Sequence, residues 1–126
     1  MSKKPEDKKI RKAFAGMVDL FFTNVDLLRS IAEQQIQRLR DGELIEEIRM
    51  DWLNGPFNEI PTMNEHVQFV CKTISEAKHF DDATKTAFAK EVTAEYEKAM
   101  APLKKLDDFL MGRVPQSEFE KYVPHS

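Results

Sequence analysis

The chain has 126 residues, 41% hydrophobic and 33% charged, with a net charge of −3, four Gly and one Cys. That length corresponds to one domain, 1–126, large enough to bury about two-thirds of its unfolded surface without covalent staples. The lone Cys71 excludes an internal disulfide framework and a thiol pair for a zinc ribbon, and no apolar run approaches the ~18 residues needed to cross a bilayer. Met1–Asp7 shows neither the apolar segment nor the small-residue cleavage site of a secretory signal, so the expected location is cytoplasmic.

Charge is unevenly spread. Residues 1–40 carry +4, residues 41–65 carry −6 and the remainder −1. A basic arm followed by an acidic elbow can steer partners of opposite sign. A pI near 5.6 argues against a duplex-binding domain, which needs a basic face.

Taken in chain order, residues 1–5 form a short basic start, and no proline follows until Pro56. Phe14, Val18, Phe21, Val25, Leu28, Ala32, Ile36 and Leu39 recur in steps of three and four, which predicts a long amphipathic helix. Met17, Leu20, Leu27 and Ile31 form a second apolar row that widens the buried arc and implies more than one neighbour. A helix from Pro5 to Leu39 spans roughly 50 Å against a domain diameter of about 36 Å. Either it breaks, at Gly16 or Gly42, or its seam needs covering by a neighbour; the long helix is the favoured reading.

Apolar spacing continues through Leu44, Ile45, Ile48, Trp52 and Leu53. Asn54-Gly55-Pro56 then opens a Pro-bounded loop over 54–61. Thr62 and Glu65 form a capping-box pattern for a helix carrying Met63, Val67, Val70, Ile74 and Ala77 and ending near Phe80. Asp81 or Asp82 caps a last long helix with the seam Phe88, Val92, Tyr96, Ala99, Leu103, Leu106, Leu110. Pro102 marks a kink or the start of a new in-line segment, and Gly112 closes the helix. Residues 113–126 read as an irregular tail in which Phe119, Tyr122 and Val123 can staple a single turn onto the bundle. The predicted fold is all-α, an elongated antiparallel bundle of about four helices.

Signals for chemistry are sparse. Glu76 and His79 have the spacing of a di-iron half-motif, but no second Glu-x-x-His exists. Cys71 lies next to Val70, and neither His66 nor His79 stands one turn away to act as a base. Gly-rich phosphate loops and nucleophile elbows are missing from the sequence. The reading is therefore non-catalytic, with no cofactor and no metal. Trp52, Phe57 and Ile60, grouped at one end of the bundle, are candidates for binding a protein partner, together with Met17, Leu20, Leu27 and Ile31. Lys8, Lys9, Arg11 and Lys12 are candidates for electrostatic docking.

The expected function is an accessory or regulatory subunit that binds another protein or self-associates as a homodimer. The alternative is a nucleic-acid or anionic-surface binder using the basic arm. A metal-dependent helical-bundle enzyme around Glu76 and His79 ranks third.

Overall fold

The computed structural model describes residues 5–113, with side chains from Asp7 onward. Residues 1–4 of the basic start and the stapled tail expected at Phe119, Tyr122 and Val123 lie outside the described residues, and Pro5 opens the first helix. Four helices make up the rest: α1 (Pro5–Arg40), α2 (Ile45–Asn54), α3 (Pro56–Ser75) and α4 (Asp82–Leu110). The fold is all-α, and no strand occurs among the described residues. No described helix is long and apolar enough to cross a membrane.

The first helix is unbroken for 36 residues, about 54 Å at 1.5 Å per residue. Gly16 sits within it with open space around its Cα, so the break falls at Gly42 instead. Gly42 adopts φ 85°, a left-handed conformation that an L side chain resists. Its amide bonds back to the Leu39 carbonyl and that of Glu43 to the Arg38 carbonyl, the paired closure of a Schellman motif. Gly112, at φ 74°, ends α4 in the same way through Phe109 and Asp108. At the other end of α4, Asp81 is the N-cap, its carboxylate accepting from the Thr84 amide at 2.7 Å.

Cross-chain contacts set the directions of the helices. Phe14 meets Phe88 (ring centroids 6.3 Å) and Phe21 meets Tyr96 (5.5 Å), so α1 and α4 run parallel. Trp52 bonds to Asp107, Asn64 to Tyr96, and Cys71 contacts Thr93, so α2 and α3 both run against α4. Only Gly55 separates α2 from α3. The two act as one descending arm between two ascending helices, and the bundle is three rods of which the middle one is jointed. Its core combines the α1 stripe Phe21, Val25, Leu28 and Ala32 with Met63, Val67, Val70 and Ile74 of α3 and the α4 seam. A buried Val, Leu, Ile or Phe contributes about 1.5–3 kcal/mol each, so this shared core outweighs the propensities of individual residues.

Proline shows that balance. The expected loop over 54–61 does not form, because α3 starts at Pro56 and contains Pro61. Pro56 at the first position gives up an amide that has no intrahelical partner anyway. Pro61 costs a backbone bond, about 3 kcal/mol in an isolated helix. Its ring is exposed, whereas its neighbours Phe57, Ile60 and Met63 pack on the core and hold the turn in place. Thr62 and Glu65 are thus interior to α3 and cap nothing. The helix also ends at Ser75, earlier than the expected Phe80. Lys85 reaches from α4 to donate to the Ser75 and Ala77 carbonyls at 3.0 Å, satisfying acceptors that further helix would have used. Pro102 is half-buried inside a continuous α4, with no new segment starting there.

The glycine within α1 and the one just beyond its end therefore predict opposite responses to the same change. Gly16→Ala is expected to raise unfolding free energy by about 0.5–1 kcal/mol, because an Ala suits an exposed helix interior better. Gly42→Ala is expected to lower it by roughly 1–2 kcal/mol through left-handed backbone strain. Urea denaturation of both variants checks the assignment, and destabilisation by Gly16→Ala alone would place the break at Gly16.

Candidate functional site

The second apolar row of α1 does not join the monomer core. Leu20 is 66% exposed, Leu27 61% and Ile31 37%, while Met17 is half-buried at the core's edge. Helical spacing explains the division. At 100° per residue, these four lie roughly 110° around α1 from the buried stripe centred on Val25. Between α4 and the α2–α3 arm, two neighbouring rods cover the first seam and leave the second bare.

This bare strip carries no charge over most of its length. Ala13, Gly16, Met17, Leu20, Thr23, Asn24, Leu27, Ser30, Ile31 and Gln34 share it, whereas the four charges in 13–34 stand off it, Asp19 at its border and Asp26, Glu33 and Arg29 farther round. Three large exposed aliphatics on an uncharged strip about 30 Å long match the centre of a protein-binding surface, where charged residues are depleted.

Trp52 is corrected. It is fully buried, and its indole N–H donates to Asp107 at 2.8 Å. A buried Trp needs a partner for its N–H, and the nearly buried Asp107 carboxylate supplies one across the α2–α4 contact. The second Asp107 oxygen accepts from Arg113 at 2.8 Å, and Asp108 also pairs with that guanidinium. The hydrogen bonds that Arg113 donates to Asp107, foremost, and to Asp108 raise its pKa above the ordinary value. Phe57 and Ile60 are half-buried against the core, so the Trp52–Ile60 segment seals the joint instead of offering an open aromatic face. No local sequence signal identifies this, since Trp52 and Asp107 are 55 positions apart.

The basic arm is divided. Lys8, Lys9 and Lys12 are exposed. Arg11 is not free for docking, because it pairs with Glu91 and its guanidinium sits 5.6 Å over the Phe88 ring. On the elbow, Arg38 bonds to Asp51 at 2.6 Å and Glu43 at 3.1 Å, and also to Gln35. The bonds to Asp51, foremost, and to Glu43 raise its pKa, and they neutralise part of the elbow while tying α1 to α2.

Two surface clefts flank α4. One, about 500 Å³, holds Cys71 among Ser75, Thr86, Ala89 and Thr93, with the Cys71 sulfur 3.3 Å from the Thr93 hydroxyl. The other, about 550 Å³, holds Tyr96, Asn64, Lys104 and Asp107. In it the Tyr96 hydroxyl is engaged by Asn64, and Asp107 by Trp52 and Arg113. Glu76 ends α3 and pairs with Lys72, and His79 is an exposed bend residue. Among the described residues no group of three or more His, Cys, Asp or Glu side chains converges as a metal site.

Comparison with protein-family models, with curated protein sequences and with solved structures finds no match for this chain.

Burial raises the Tyr96 pKa to about 12. The folded state therefore holds this proton more tightly than the unfolded chain, whose tyrosine titrates near 10. The corresponding stability is complete below about pH 10 and is lost between pH 10 and 12. Tyr96→Phe is expected to remove that part of the alkaline fall, measured as unfolding free energy against pH. Identical alkaline slopes in the variant and the parent would show that Tyr96 is solvated.

Proposed function

We propose that this chain is a non-catalytic helical interaction protein, an accessory or regulatory subunit that works in the cytoplasm and binds protein through the bare strip of α1. The single observation that carries the reading is the exposure of Leu20, Leu27 and Ile31 on an uncharged surface. A monomer that left these side chains in water permanently would gain nothing from them, while covering them contributes about 25 cal/mol per Å² of apolar area. The exposed Lys8, Lys9 and Lys12 adjoin the strip's N-terminal end and set orientation and association rate more than affinity.

The basic arm as a nucleic-acid site is the weaker reading, since Arg11 is already committed to Glu91 and Phe88.

A tagged full-length chain, expressed alongside an untagged copy and washed at low and then high salt, tests this reading. Protein recovered with it, its own untagged copy included, is expected to survive high salt. Leu27→Glu is expected to abolish recovery with a stability change within about 0.5 kcal/mol, as for other surface substitutions. Trp52→Ala, by contrast, is expected to cost about 3–5 kcal/mol and to lose binding only as it unfolds. Full recovery by Leu27→Glu would contradict the strip as the binding face. Recovery of nucleic acid alone, lost at high salt, would favour the arm.

A further inference from the structure

We propose that the strip is closed by a second copy of this chain, with the two α1 helices running parallel as a short two-stranded coiled coil. The proposal rests on the strip being the protein-binding face, and it names the protein that fills it.

The spacing is that of a heptad seam. Ala13, Met17, Leu20, Asn24, Leu27, Ile31 and Gln34 follow one another in alternating steps of four and three. Met17, Asn24 and Ile31 take the a positions, and Ala13, Leu20, Leu27 and Gln34 the d positions. Ile at a with Leu at d favours two strands, and a single Asn at a fixes register. From Leu20 onward the monomer core uses different positions on the same helix, Val25 and Ala32 at b and Phe21 and Leu28 at e, while nearer the N-terminus Ile10 and Met17 at a also pack on the core. α1 therefore carries two seams at once, which share only the half-buried Met17.

Asn24 decides the orientation. In a parallel pair, a faces a, so the exposed Asn24 meets its own counterpart and the two amides hydrogen-bond across the axis. In an antiparallel pair a faces d, and Asn24 lies against Leu20 or Leu27 with its amide covered and unpaired, which is costly.

Charge selects the occupant. An uncharged strip offers a foreign helix no ion pair by which to be chosen, whereas a second copy brings the same uncharged strip and no like-charge conflict between residues 13 and 34. The N-terminal end of the strip is cationic, with the exposed Lys9 and Lys12, whereas Arg38 at the other end is paired with Asp51 and Glu43. Parallel pairing brings the two lysine ends together, a repulsion that salt screens without weakening the middle. A seam of about 21 residues, near 32 Å at 1.5 Å per residue, falls at the small end of stable interfaces. The dimer is consequently a concentration-dependent one.

Sedimentation equilibrium of the full chain from ~1 to ~500 μM, a range that brackets micromolar affinity, reads the association. The expected result is a dimer fraction that rises with concentration and is unchanged or increased by salt, with Leu27→Glu monomeric throughout and equally helical. Orientation is read in a Cys71→Ser background. Gln34→Cys is expected to oxidise to a disulfide-linked dimer with itself. Cross-linking only when mixed with Met17→Cys, the a position that faces Gln34 in an antiparallel pair with Asn24 against Leu27, would overturn the parallel arrangement. A dimer that persists in Leu27→Glu would move the interface elsewhere. A chain monomeric at every concentration would overturn the second copy, and if its Leu27→Glu variant still loses a different bound protein, the strip remains a binding face and only the occupant is wrong.

Discussion

A single helix some 54 Å long, with one apolar face that must be covered from end to end, governs this fold. No single following helix here is as long: α4 has 29 residues, and α2 and α3 have 10 and 20. The α1 stripe is therefore covered by α4 together with an arm assembled from two helices, and the joint at Gly55 has to be held in line. Trp52, Asp107 and Arg113 do this. One carboxylate binds the indole N–H of α2 with one oxygen and the guanidinium beyond Gly112 with the other. A buried carboxylate bonded at both oxygens is stable, and it would be costly to leave unpaired if either partner were lost. That cluster anchors the α2 end of the arm, and Lys85 anchors the other end by taking the final carbonyls of α3.

Covering one face of α1 leaves the adjacent face bare. Three rods meeting around a common core can each bury only the arc that points inward. The row through Leu20, Leu27 and Ile31 lies outside that arc, so its exposure follows from the same spacing that places Val25 and Leu28 inside. The charges of α1 are segregated in the same sense. Asp26 and Arg29 pair with each other away from the row, and Arg11 and Arg38 are held by acids of other elements. What remains on the row is aliphatic or neutral, which suits contact with another protein and offers little to a charged ligand.

Much of this organisation was legible in the residues. The α1 stripe, the α4 seam, the Asp81 cap and the closing glycines all depend on periodicity and on short-range backbone chemistry, which operate within a few positions. The misreadings share one cause. Pro56 and Pro61 look like loop residues locally, yet they sit in α3 because Phe57, Ile60 and Met63 are held by distant parts of the core. Trp52 looks like a partner anchor until Asp107, 55 positions later, takes its N–H. Arg11 looks like a docking cation until Glu91, 80 positions later, neutralises it. For the candidate site, the apolar row itself was visible as spacing. Whether it was buried depended on how many rods surround α1, and that depends on α2 and α3 acting as one.

The central claim is that α1 works with two faces, one closed by its own bundle and one closed by association. Methyl-resolved NMR of the full chain across a concentration series measures this residue by residue. The account predicts concentration-dependent shifts at the Leu20, Leu27 and Ile31 methyls, with Leu28, Leu103 and Leu106 unchanged. Shifts centred on Ile60, or on the α4 seam, with the α1 row silent, would contradict it.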